Sequence, residues 1–238
     1  MSSPPRKPSA IAEPPSPTDI GADRTLALLY LPKRLRPAFA ALWSVDSAMG
    51  RVVASTSEPA IGAIRLAWWR ERLEDLDHKA GPAEPILQAV HSQLISRGIA
   101  GRELAVMEGC WSRLFDPFPW DIRTAEAIFF RGRHLFALAA RLLGEASPLA
   151  EDAGAIWALV DAARHCSDAA SRSRLLDQAR SFRGGLPDVA PRALRPLTML
   201  TALALRDAGR EETFEREGTP GRAAALLAHR LTGRLPRG

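Results

Sequence analysis

The stretch LRPAFAALWSVDSAMGRVVA, residues 35–54, decides the fold class. Phe39, Leu42, Trp43, Met49 and Val53 recur at the three- and four-residue spacing that lines side chains along one face of an α-helix. Pro37 stands in the first turn, where its missing N–H does no harm. Asp46 interrupts the apolar stripe, and a buried carboxylate needs a partner to offset its desolvation. It reads either as a core aspartate paired with Arg65 or another interior arginine, or as a catalytic group.

The same period continues outward in both directions, and the alternation and Asn-Gly turns that mark hairpins are missing. Upstream, a helix is predicted over 23–31, ended by Pro32. Downstream, one opens at Ser57-Glu58-Pro59, with Ser57 as its cap, sets Ile61, Ile64, Trp68 and Leu76 on or near one face, and ends before Gly81-Pro82. Further helices are predicted over 84–97, 101–114, 121–143, 149–180, 190–207 and 219–233, punctuated by glycine and proline. Connections this short between helices of this length imply antiparallel neighbours, so the fold class is an all-α helical bundle.

Residues 1–22 are rich in Pro and Ser, have no apolar period and carry cancelling charges, so a disordered tail is expected, followed by one helical domain over 23–238. Charged residues interrupt every apolar run, which excludes a membrane-spanning helix from the expectations. The first residues lack the pattern of a secretory signal, and a cytoplasmic location follows as the expectation. Cys110 and Cys166 fit neither a disulfide framework nor a metal-ligand spacing and read as buried free thiols. The net charge of +5 comes almost wholly from arginine, interspersed with acids as in Arg70, Glu71, Arg72, Glu74 and Asp75. That mixture describes a solvated helical surface, or one that meets an anionic partner. Nucleic acid is not expected as a partner: basic residues near the C-terminus, among them Arg222, Arg230, Arg234 and Arg237, are not interleaved with aromatic stacking positions.

No motif for a serine nucleophile elbow, a phosphate loop, a dinucleotide fold or a zinc protease occurs. Of the histidines, His165 alone has acids at helical spacing, Asp161 before it and Asp168 after it. The trio reads as a surface ion cluster or as a site that binds a cation or tunes a base. Trp68-Trp69 reads as packing at a helix interface or as a ligand wall.

Particular strings resemble a known family. Leu29-Tyr30-Leu31-Pro32, Arg36-Pro37-Ala38, Ala41-Leu42-Trp43 and the run from Glu58 through Ile64-Arg65-Leu66-Ala67-Trp68-Trp69-Arg70 resemble the opening of squalene/phytoene synthases. Arg131-Gly132, the small-residue helix ending in Leu143-Gly144, and Gly154, Leu159 and Arg164 at five-residue steps are similar to later family elements. The resemblance implies the isoprenoid-synthase fold, with a cavity for prenyl diphosphates and two Asp-rich motifs whose carboxylates hold magnesium on the diphosphate.

This sequence departs from the family at those motifs. Alignment on Ala41-Leu42-Trp43 puts Gly50 and Arg51 at the paired aspartates and Ala54 at the third. Alignment on Arg164 puts His165, Asp168 and Ala169 at the second motif, so Asp168 is the one carboxylate kept. A divergent branch of the family, similar to the mitochondrial complex I assembly factor within it, also has degraded motifs.

The resulting expectation is a pseudoenzyme: no catalytic or metal-ligating residue, no cofactor, and a role in binding, assembly or regulation with an unidentified protein partner. A prenyl diphosphate, or another anionic or lipid ligand, is its expected small ligand, with peripheral association at a membrane's inner face. Candidate pocket residues are Asp46, Arg51, Arg65, Trp68, Trp69, Asp161, His165 and Asp168. The alternative is a divergent prenyltransferase of isoprenoid biosynthesis, using magnesium and an altered clamp of Arg51, Arg65, His165 and Asp168; that clamp requires the four side chains to converge on one cavity.

Overall fold

The computed structural model describes residues 19–210 and 213–237. In chain order the helices are α1 (Ala22–Leu28), α2 (Arg36–Ser55), α3 (Pro59–Asp75), α4 (Pro85–Gln93), α5 (Gly101–Ala105), α6 (Met107–Ser112), α7 (Ile122–Leu143), α8 (Pro148–His165), α9 (Ala169–Phe182), α10 (Arg195–Ala208) and α11 (Pro220–Thr232). The fold is an all-α helical bundle. The only β pairing among the described residues is an isolated bridge between Val189 and Arg234. No described helix is long and apolar enough to cross a membrane.

The centre is aromatic. Trp43 of α2 lies 5.8 Å from Phe136 of α7, and Phe136 stacks on Trp157 of α8 at 5.4 Å. Such pairs contribute about 0.5–1.5 kcal/mol each beyond the area they bury. α7 and α8 approach closely enough for this because they cross at Gly132 and Gly154. A Cβ on Gly132 would stand 2.1 Å from the Gly154 carbonyl oxygen.

Sequence and structure part at several points. The predicted cap Ser57 is replaced by Glu58, which ends extended backbone and makes no side-chain cap bond. The predicted stripe of α3 faces outward: Ile61, Ile64 and Trp68 are 47%, 70% and 41% exposed, while Gly62, Leu66 and Leu73 turn inward and Leu76 is buried. Gly62 sets this rotation, because its missing side chain admits the ring of Phe115. The helix predicted over 149–180 is two helices, divided at Cys166–Asp168, with Asp168 capping α9 through Ser171 N at 2.7 Å. The stretch 101–114 divides at Val106.

Of the expected tail, residues 1–18 lie outside the described residues. Asp19–Ala22, however, packs onto the bundle: Ile20 is buried, Arg51 donates to the Asp19 carbonyl oxygen at 2.9 Å, and Ala22 already begins α1. Ala22 N also donates to Glu217 Oε2 at 3.0 Å, so the segment is tied by polar bonds as well as by its buried isoleucine. Cys166 is buried and Cys110 half-buried, both as free thiols; burial pushes the Cys110 thiol up to about 11.

Candidate functional site

A cavity of about 700 Å³ opens between the segment before α1, α2, the turn that follows α6, α7 and α8. α2 presents Asp46, Ser47, Gly50 and Arg51 to it from consecutive turns, which is the helical spacing of the opening stretch.

Asp46 is fully buried, and its partners come from three other elements. Arg24 of α1 reaches Oδ2 at 2.9 Å and also donates to Ser47 Oγ at 2.9 Å. The indole N–H of Trp111 on α6 donates to Oδ1 at 3.1 Å, and Arg131 Nη1 of α7 lies 3.7 Å from the same oxygen. The interior arginine expected beside Asp46 is therefore Arg131, joined by Arg24, and not Arg65.

Arg131 is itself 1% exposed and bridges to the other side of the cavity, where Nη2 donates to Asp161 Oδ2 at 2.7 Å. Its guanidinium lies 4.1 Å from the centre of the Trp111 ring. Burial alone would favour its neutral form; the carboxylates of Asp46 and Asp161 outweigh that and raise its pKa. For Asp161, burial works upward, but the charges of Arg131, Arg24 and His165 outweigh it and hold the carboxyl below its ordinary range. The four groups form an alternating chain, Arg24, Asp46, Arg131, Asp161, with two charges of each sign.

His165 also lines the cavity, with Nδ1 2.8 Å from the Asp161 carbonyl oxygen one turn back. Arg51 lines the cavity as well. Burial lowers its pKa, and the nearby carboxylates of Asp19 and Glu84 oppose that.

Four of the residues singled out from the sequence thus meet here: Asp46, Arg51, Asp161 and His165. The others do not line the cavity. Arg65 turns to Thr56 Oγ1 at 3.0 Å on the exposed side of α3. Trp68 and Trp69 pack edge-to-face against each other with centroids 5.2 Å apart; Trp68 is exposed, and Trp69 packs against the core. Asp168 is spent on capping α9, which also removes it from the helical face shared by Asp161 and His165. The four-residue clamp does not assemble, because α3 is rotated outward and the helix ends between His165 and Asp168.

The residues that reading missed are Arg24, Trp111 and Arg131. Arg131 had a signal: it sits in the apolar stripe of α7 with Ile128, Leu135 and Phe136, as Asp46 does in α2, and two opposite charges set in two buried stripes are natural partners.

Trp111 decides what can occupy the position of the first expected motif. A Cβ on Gly50 would lie 2.9 Å from the Trp111 ring. The space an aspartate side chain would use at Gly50 is filled by an indole that Asp46 and Arg131 hold in place.

The model of the squalene/phytoene synthase family matches residues 18–125. That span includes Asp46, Gly50, Arg51 and Trp111. No curated protein and no solved structure matches the chain.

The magnesium cluster implied by such a family does not fit the residues present. Magnesium is held through carboxylates and phosphate oxygens. Here Asp46 and Asp161 are already engaged by guanidinium groups, Gly50 faces an aromatic ring, and Arg51 puts a positive charge where a ligand oxygen is needed.

Proposed function

We propose that this chain, which belongs to the squalene/phytoene synthase family, is a non-catalytic member that binds rather than transforms, and acts in assembly or regulation. The observation that carries this reading is the chain Arg24, Asp46, Arg131, Asp161, closed over Gly50 by Trp111. Departure of a diphosphate develops negative charge that a metal cluster neutralises, and such stabilisation is worth several kcal/mol, with about 1.4 kcal/mol for each tenfold in rate. A floor whose carboxylates are internally neutralised supplies none of it.

The fold itself supports a binding role, since the cavity remains large enough for a small ligand while its chemistry has changed. The outward apolar residues of α3, Ile61, Ile64 and Trp68, beside Arg65 and the Thr56–Pro59 rim of the cavity, support contact with a protein partner or with a membrane surface.

The alternative, a divergent prenyltransferase, has in its favour that Arg51 and His165 share the cavity. Incubation of the purified chain with farnesyl diphosphate and magnesium decides between the two. No release of inorganic pyrophosphate above the protein-free rate is expected, and thermal melting is expected to show no magnesium-dependent shift. Turnover that requires magnesium would falsify the non-catalytic reading.

A further inference from the structure

α7 lines two cavities. Arg131, near its middle, belongs to the one described above; Arg141, Leu142, Leu143 and the capping Gly144, at its end, line a second of about 660 Å³. The helix rises roughly 15 Å from Arg131 to Arg141, and the two cavities share no lining residue. The second is completed by Arg34, from the turn before α2, and by Arg97 and Ile99, which follow α4.

Backbone geometry brings these segments together. Gly98, at φ +78°, reverses the chain after the short turn that follows α4, and Ile99 is buried beyond it. The Gly98 carbonyl accepts from Arg141 Nη2 at 2.9 Å, which ties this reversal to the end of α7. Arg97 Nη1 donates to the carbonyl of Gln93, the last residue of α4, at 2.7 Å and to Gln93 Oε1 at 3.2 Å; its Nη2 lies 3.5 Å from the Arg34 carbonyl oxygen.

Those bonds position the guanidinium groups without neutralising them. Every partner of Arg97 is a neutral oxygen, and the Arg34 guanidinium has no hydrogen bond or ion pair among the described residues. Arg141 alone meets a carboxylate, that of Glu103. Against three positive charges stand this one acid and the negative end of α7, about half a charge. Lys33 and Glu145, exposed neighbours in the chain, do not line the cavity and are opposite in sign. No acidic side chain lines it among the described residues. An arginine carries five N–H groups, so one held by carbonyls keeps donors for an oxyanion. Leu142 and Leu143, both half-buried, add apolar surface beside the charges, which suits an anion with an apolar body better than a bare ion.

We propose that this second cavity binds an amphiphilic phosphate monoester, its phosphate held by Arg34, Arg97 and Arg141 and its apolar part against Leu142 and Leu143. The inference does not depend on the non-catalytic reading, since it uses no residue of the central cavity.

Calorimetric titration of the full chain with octyl phosphate, below its micelle concentration, tests the site, with octanol as the uncharged control. Octyl phosphate is expected to bind and octanol to give no heat of binding. Arg34→Gln removes a guanidinium that bonds nothing among the described residues. The melting temperature should therefore hold while octyl phosphate affinity falls about tenfold, the loss of one charge-assisted hydrogen bond. Arg97→Lys keeps the charge without the fork and should fall between the two. Arg51→Gln, in the central cavity, should leave the affinity unchanged. Co-sedimentation with phosphatidylcholine vesicles containing phosphatidic acid separates the sources of such a phosphate. Capture that Arg34→Gln abolishes identifies a lipid headgroup, whereas octyl phosphate binding without capture identifies a soluble ester. The proposal is overturned by no binding of octyl phosphate, by octanol binding as tightly, or by a loss of affinity in Arg51→Gln and not in Arg34→Gln.

Discussion

Glycine at position 50 and tryptophan at position 111 are one structural decision. A glycine on the buried side of α2 normally weakens a helix by about 1 kcal/mol relative to alanine, yet here it admits the Trp111 ring against the helix backbone. That ring then satisfies Asp46 with its N–H and lies against the Arg131 guanidinium with its face. Restoring an acid is therefore expected to damage the protein before it could bind metal. Gly50→Asp should lower stability by about 1–3 kcal/mol through overpacking, read as a lower melting temperature. In a Trp111→Ala background the same substitution should cost less, giving a coupling of about 0.5–3 kcal/mol in a double-mutant cycle. Additive effects would mean that the ring is not what excludes the carboxylate.

At the scale of the elements, close helix approach depends on where glycine stands, and identical substitutions should have opposite signs. A Cβ on Gly154 of α8 would fall 2.2 Å from the Gly132 carbonyl oxygen and 2.6 Å from Phe136 Cβ. Backbone cannot yield as a side chain does, so Gly154→Ala should push α7 and α8 apart, with a loss of about 1–3 kcal/mol. It should also disturb the cavity, because the same two helices hold Arg131 and Asp161 in register. On Gly109 of α6 a Cβ meets nothing within 4 Å. Gly109→Ala should therefore stabilise by up to about 1 kcal/mol from helix propensity alone. Denaturant unfolding of both variants gives the comparison, and equal signs would refute the packing argument. The same elements show what could be read in advance. The periodicity of α2 and α7 is amphipathic and buried, so their extent was legible from spacing. The break between α8 and α9 was signalled only by Asp168 three residues before Ser171, a capping pattern that competes with an uninterrupted helical period. The facing of α3 was not legible, because its apolar residues occur on both sides and a contact distant in sequence, Gly62 with Phe115, selects which side turns in. For the site, Asp46 announced itself as a charge in an apolar stripe; Arg24, at the start of a short helix, gave no such sign.

Across the whole molecule, the cavity is built from distant parts of the chain: Arg24, Asp46, Arg51 and Trp111 fall within the family match over 18–125, and Arg131, Asp161 and His165 fall beyond it. Its floor depends on α1 staying in place, and a buried ionic network behind α1 supplies the attachment. Arg222 of α11 donates to Asp23 of α1 at 2.8 Å and to Asp207 of α10 at 2.7 Å; Arg164 of α8 completes the group by donating to Asp207 at 2.7 Å. Asp23, Asp207 and Arg222 are all buried, so removal of the shared arginine leaves Asp23 without its cation in the interior. Arg222→Met should consequently destabilise by about 3–5 kcal/mol, which for a chain of this size is on the order of 10 °C in melting temperature. The loss should be local first: amide hydrogen exchange should accelerate in α1 well before α4, which lies outside the network. Adding Asp23→Asn removes the stranded charge and should return part of the stability. Because α1 carries Arg24 into the cavity, Arg222→Met should also weaken ligand binding there although Arg222 does not line that space. An Arg222→Met variant with unchanged α1 protection would show that the segment is held by Ile20 and its apolar contacts alone, and that the ionic network contributes no attachment.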